Sequence, residues 1–177
     1  TFALSKDETV YAHLNENGES KSVIVSEILK NTETKNELID YSTLEDIVNK
    51  NGNETYTLDK NKLTWMSNGN DIYYEGKYQK SLPISMDITY KLDDKRVNAK
   101  DVLGQSGKVE IIINYKNNSK KSVNINGKNA NIYTPFMIMY GAMLDSNYNK
   151  NVTINNGKVI ANGNKNMVVG LAIPGLK

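Results

Sequence analysis

Asn-Gly pairs punctuate this chain, and that punctuation limits what it can fold into. They include Asn17-Gly18, Asn51-Gly52, Asn68-Gly69, Asn126-Gly127 and Asn156-Gly157. Both residue types tolerate the left-handed backbone of the tight turns that join antiparallel strands, so an Asn-Gly pair between β-prone runs signals a hairpin. From residue 50 onward turn signals recur every 8–15 residues. That interval leaves no room for the helical crossovers that parallel sheets require, and it matches an antiparallel sandwich or barrel.

TVYAHL and KSVIVSEIL flank the first pair, which predicts strands near 9–14 and 21–26. The segment STLEDIVNK then predicts one short helix. Ser42 would cap it, Glu45 and Asp46 would sit in its first turn, Leu44, Ile47 and Val48 would share a face, and Gly52 would end it. TYTL and KLTWM lead to SNGN and then DIYYEG, a second predicted hairpin. LPISMDITYKLD places Ile84, Met86, Ile88 and Tyr90 on one side of a further strand. NAKDVLGQSG reads as a short helical turn, KVEIIINYKN and NMVVGLAIP as strands. The fold class is mainly β: an antiparallel immunoglobulin-like sandwich with an N-terminal hairpin and one short helix. Residues 1–55 would hold the hairpin and helix and 56–177 the sandwich module, with a single continuous domain as the alternative.

The run IYTPFMIMYGAML at 132–144 is the one greasy stretch. It is too short to cross a hydrocarbon core of ~30 Å as a helix, and Pro135 and Gly141 interrupt it. Phe136, Ile138 and Tyr140 would occupy one face of a strand, Met137 and Met139 the other. The expectation is a strand buried on both sides, with an exposed patch on one face as the alternative, and no insertion of this segment into a membrane.

Few residues suggest chemistry. The chain has no cysteine, which removes disulfides, thiolate metal sites and thiol nucleophiles. His13 is the only histidine, and no nucleophile motif accompanies it. GQSGK at 104–108 lacks the spacing of a phosphate loop and reads as a turn. Asp93–Asp94 and Glu45–Asp46 read as a turn former and a helix first turn. Asp145, Asn147 and Asn149 alternate as in a calcium loop, but Lys150 and Asn156 occupy the positions that need Gly and a bidentate acid. No cofactor, metal ligand or catalytic residue is assigned. Charge is nearly balanced, 22 Lys+Arg against 20 Asp+Glu, with Arg96 the one arginine, so no nucleic-acid partner is expected. Tyrosine dominates the aromatics, eleven of fourteen. Trp65, Tyr73, Tyr74 and Tyr78 surround one predicted hairpin and form the candidate partner- or glycan-binding set.

Several phrases together carry a resemblance: KDETVYAHLNENGE, KLTWMSNGNDIYYEGKYQKSLPISMDITYKLD, LGQSGKVEIIINYKNNS, IYTPFMIMYGAML and NGKVIANGNKNMVVGLAIPGLK. In their order they resemble the N-terminal extracytoplasmic region of large cell-envelope proteins of Gram-positive Firmicutes, clostridia especially, some grouped with phage-infection-protein-like membrane proteins. The likeness spans nearly the whole chain. It departs at Met66, where a small or charged residue is usual after the tryptophan. It implies an extracellular, cell-surface module anchored through other parts of a parent chain, as the ending VVGLAIPGLK also suggests. The implied partners are the remainder of that chain, a second copy, or a cell-surface glycan or protein. A non-catalytic structural or interaction module is the first functional expectation, a carbohydrate-binding or adhesin module the second, and a wall-acting enzyme the third.

Overall fold

The computed structural model describes residues 5–173. The two chain ends, from which processing and a longer parent are expected, lie outside them. The chain divides into two compact units, residues 1–116 and 117–177. The fold is mainly β, with antiparallel sheets and one 3-10 turn.

The first hairpin forms as its turn signal predicts. β1 (Ser5–Leu14) pairs antiparallel with β2 (Ser20–Lys30). Asn15 Oδ1 accepts from the amides of Asn17 and Glu19, at 3.0 and 2.9 Å, and Gly18 turns the chain at φ 89°. A Cβ on Gly18 would stand 2.5 Å from the carbonyl oxygen of Met86, so the turn needs glycine for space as well as for its dihedral.

β3 (Glu37–Tyr41), β4 (Glu45–Asn49), β5 (Tyr56–Asp59), β6 (Lys62–Met66) and β7 (Ile72–Lys77) complete a two-sheet sandwich. One sheet has the order β1-β2-β7-β4, the other β3-β6-β5. Their inner faces meet in one core of Leu29, Leu38, Leu63, Trp65, Ile72 and Tyr74, with Leu44, Ile47 and Tyr56 packed against it. An immunoglobulin constant domain sets its fifth strand beside its second and its seventh beside its sixth. Here those two positions are exchanged: β7 lies beside β2, and β5 beside β6.

Three expectations are corrected within this unit. The segment predicted as a helix is the edge strand β4. Ser42 Oγ does accept from the Leu44 amide, at 3.1 Å, but Asp46 then takes φ 50°, which no helix continues through. What overrides the helical pattern is the free edge of β7. Glu45 pairs with Lys77 and Val48 with Glu75 across a bulge, while Ile47 enters the core. Gly76 makes room, since a Cβ there would lie 2.8 Å from Leu44 Cβ and 3.0 Å from the Glu45 carbonyl oxygen. The turn at Asn68-Gly69 joins two strands that do not pair. β6 and β7 belong to opposite sheets, so this turn carries the chain across the sandwich. A seam at residue 55 is also ruled out, because Leu29 and Leu38 share their core with Leu63, Trp65 and Ile72.

The loop at 67–70 is held by a buried polar clamp. The Asn31 amide group donates to the Lys35 carbonyl, Ser67 Oγ and the Asn70 carbonyl, and Ser67 Oγ donates to Lys35 O at 2.7 Å. Asn31 and Ser67 are both buried, and burial is tolerable because these polar atoms find partners. The unit continues with β8 (Ile84–Leu92), β9 (Lys95–Val97), a 3-10 turn at Ala99–Val102 and β10 (Val109–Asn117), in a sheet of order β10-β8-β9. Ile84, Met86, Ile88 and Tyr90 are half-buried as their alternation predicts, and Tyr90 Oη donates to the Glu16 carbonyl at 2.7 Å.

In the second unit β11 (Lys121–Ile125) and β12 (Lys128–Ile132) form the hairpin predicted from Asn126-Gly127. β13 (Ile138–Asp145), β14 (Gly157–Asn162) and β15 (Lys165–Ala172) form a sheet of order β13-β15-β14. Asn156-Gly157 does not link two strands. The hairpin turn here is the next pair, Asn162-Gly163.

Leu63 is fully buried, whereas Ile39 on the neighbouring strand is 45% exposed. Leu63→Ala is expected to cost about 2–5 kcal/mol and Ile39→Ala about 0.5 kcal/mol. Urea unfolding followed by the fluorescence of Trp65, the single tryptophan, reads both; equal losses would contradict this core.

Candidate interaction site

The sandwich core has a polar end. Glu27 on β2, Tyr74 on β7 and Asp40 on β3 all face inward, and Lys6 reaches them from β1. Lys6 Nζ lies 3.0 Å from Glu27 Oε1 and 3.0 and 3.2 Å from the two oxygens of Asp40, so one ammonium ties two sheets together. Tyr74 Oη donates to Asp40 Oδ2 at 2.6 Å. Burial raises the Tyr74 phenol well above its usual range, and the Asp40 bond adds to this. Burial pushes Glu27 up to about 7; Lys6 pulls it down by less, and Glu8, opposite it on β1, pushes it up again. Glu27 Oε2 has no hydrogen-bond partner, which is costly for an ionised oxygen at 3% residue exposure. Burial works against the Lys6 charge, but its bonds to Asp40 and Glu27 prevail and raise it. The arrangement adds a charged tie to the β1–β2 ladder, since β1 itself places no residue in the apolar core.

The predicted aromatic set does not form one surface. Trp65 and Tyr74 have no exposed area and stack inside the core, ring centroids 5.3 Å apart, with Tyr56 4.7 Å beyond Trp65. Neither is open to a sugar ring. Tyr73, half-buried on the other side of β7, donates to Glu75 at 3.0 Å. Tyr78 lines a shallow depression of about 370 Å³ with Lys21, Lys77, Lys80, Gln79 and Ser81. Alternation along β7 explains the split: Tyr74 points inward, Tyr73 outward.

The other sequence candidates are structural. Asp93 and Asp94 take φ 48° and 65° and form the β8–β9 turn, with Lys108 held by both carboxylates. Glu45 and Asp46 belong to the β4 bulge. Asp145 Oδ1 accepts from the Asn147 amide at 2.8 Å, and its carbonyl accepts from the Asn149 side chain, so the alternating residues close a turn. Among the described residues no three His, Cys, Asp or Glu side chains converge as metal ligands. His13 is exposed on β1.

The site that the sequence offers only as an alternative lies on the second unit. The run at 132–144 is not buried on both sides. Ile138, Tyr140 and Ala142 face the half-buried side, where a Cβ on Gly157 would run into the Val169 carbonyl oxygen and one on Gly170 would lie 3.0 Å from Ile154 Cδ1. The other side is open: Met139 is 75% and Met143 66% exposed. Cross-strand register sets Leu171 beside Met139, Met167 beside Met143, and Ile160 on the far side of Met167. These residues make an apolar sheet face in which methionine, flexible and polarisable, predominates. The signal is present in the sequence, since Met137, Met139 and Met143 occupy one alternation class, and hydrophobicity alone favours burial over the exposed alternative.

Glu27 binds its proton more tightly folded than at its ordinary value of about 4.5, so the folded state holds more protons between pH 4.5 and 7. Stability should therefore fall as pH rises through that window, by up to about 3 kcal/mol. Glu27→Gln should remove the slope and be the more stable form at pH 8, as denaturant midpoints measured from pH 4 to 9 would reveal; parallel profiles for the two proteins would contradict the cluster.

No family model, curated protein or solved structure matches this chain.

Proposed function

We propose that this chain is a non-catalytic interaction module of a membrane-anchored cell-envelope protein, displayed outside the cell. The observation that carries it is the open sheet face of Met139, Met143, Ile160 and Leu171, each between 45% and 75% exposed. A contiguous apolar face in water favours association, and methionine suits a contact surface because its unbranched chain adapts to the partner. The extracellular placement rests on the sequence resemblance. The polar end of the sandwich has no role as a reaction centre in this reading: it holds β1.

The depression beside Tyr78 favours a second reading. Lys21, Lys77 and Lys80 with Tyr78 and Gln79 suit an anionic glycan, through charge and one aromatic face. Trp65 and Tyr74 take no part in it.

Purified chain should be retained on envelopes of the producing cells, and Met139→Lys with Met143→Lys should lower retention by roughly tenfold if these side chains are contact anchors. Tyr78→Ala with Lys80→Ala should leave it unchanged. The reverse pattern would transfer the function to the glycan reading, and retention insensitive to both pairs would sink the two together. Protease treatment of intact cells should shed this segment while the parent's remainder pellets with membrane; a protected segment would refute the placement.

A further inference from the structure

β13 has a bare edge. It bonds to β15 on one side and to no described strand on the other. Natural sheets protect such edges with charge, proline or bulges, because unpaired backbone groups recruit further strands. β14, the opposite edge, carries Lys158. β13 reads IMYGAMLD, uncharged until its last residue and regular in its pairing from Ile138 to Asp145.

Gly141 at its centre has no explanation within the chain. Gly157 and Gly170 are forced by neighbours, but a Cβ on Gly141 would meet no atom within 4 Å, and its φ lies outside the left-handed region. Glycine weakens a strand interior, and this one, in register with Val169, leaves the backbone bare on the open face between Met139 and Met143.

We infer that β13 pairs antiparallel with β13 of a second copy, Gly141 facing Gly141 across the twofold axis, to join two three-stranded sheets into one of six. The strand is self-complementary in this register. Met139 falls opposite Met143 on the open face, twice by symmetry. Ile138 meets Leu144 and Tyr140 meets Ala142 on the other face. Asp145 meets Met137, so the strand's one charge is not set against itself. A twofold contact of this kind closes after two copies and leaves the Lys158 edges outermost. The inference rests on the interaction-module reading, and the pairing leaves the methionine face open and doubles its width.

The chain has no cysteine, so one introduced thiol reports a single contact. Paired Cα atoms in such a ladder lie about 4.5–5.5 Å apart, within disulfide reach. Gly141→Cys in the 177-residue chain should give a covalent dimer under mild oxidation, and Lys158→Cys should not. Met139→Lys and Met143→Glu should each weaken dimerisation about tenfold in sedimentation equilibrium, since each change is felt twice. The double variant sets Lys opposite Glu and should return to within about threefold of the parent chain. A wild-type chain that stays monomeric at high concentration, cross-linking through Lys158→Cys instead, or failure of the double variant to recover would each overturn the pairing. A monomer still retained on envelopes would overturn the pairing alone; a monomer that is not retained would take the interaction reading with it.

Discussion

Trp65 is the contact on which the first unit depends. It lies between Tyr56 and Tyr74, so it touches β5 in its own sheet and β7 in the other at once. A fully buried indole contributes several times the apolar area of a small aliphatic residue, and its neighbours are packed to its outline. The arrangement also leaves its Nε1–H without a partner, and that unmade bond is the cost of placing the largest side chain at the centre. The rest of the sandwich repays it. Tyr56 Oη reaches the Ile47 carbonyl at 3.3 Å, which holds the irregular edge strand β4 over the same core.

Around this centre the two ends are built from different chemistry. One end is closed by Asn31 and Ser67, neutral groups whose bonds pin the loops of opposite sheets. The other is closed by charge, with Lys6 shared between Glu27 and Asp40. The side-chain bonds of Asn31 and Ser67 run to neutral groups, whereas the charged end depends on which carboxyl holds a proton. Protonated Glu27 leaves one ammonium matched to one carboxylate, a balanced interior; ionised Glu27 leaves an excess negative charge in a place poor in water. The single cation is what makes two inward carboxyls tolerable.

Strand identity was largely legible in the sequence because local turn chemistry and period-2 alternation both act over a few residues. Asn15 to Gly18 and Asn126-Gly127 form the turns their residues dictate. Pairing was less legible, because it is set by which edges remain free once the chain has collapsed. Asn68-Gly69 has hairpin residues and hairpin dihedrals, yet its flanking strands separate, and nothing within 67–70 could reveal that. STLEDIVNK satisfies the rules for a helix start and is overridden by the edge of β7; the one local hint was Gly76, which leaves space for β4. Of the aromatic set, the even-numbered Tyr74 and the odd-numbered Tyr73 were bound to diverge once DIYYEG became a strand. The methionine face was readable as a stripe, and its exposure only as an alternative, since composition gives no account of what covers a strand.

The order β1-β2-β7-β4 carries a kinetic consequence. β2 and β4 never touch, and the strand between them is made last. Until residue 77 is in place, β2 offers an open edge on one side and β4 has nothing to pair with, so the first 55 residues hold only a hairpin. Assembly waits on a contact between segments more than forty residues apart, and chain-closure entropy must be met before any bond rewards it. Folding should thus be slower than for a meander of equal length, and it should appear at Trp65 as one late step in stopped-flow refolding. A fast early phase at that residue would mean that β3, β6 and β5 close on their own.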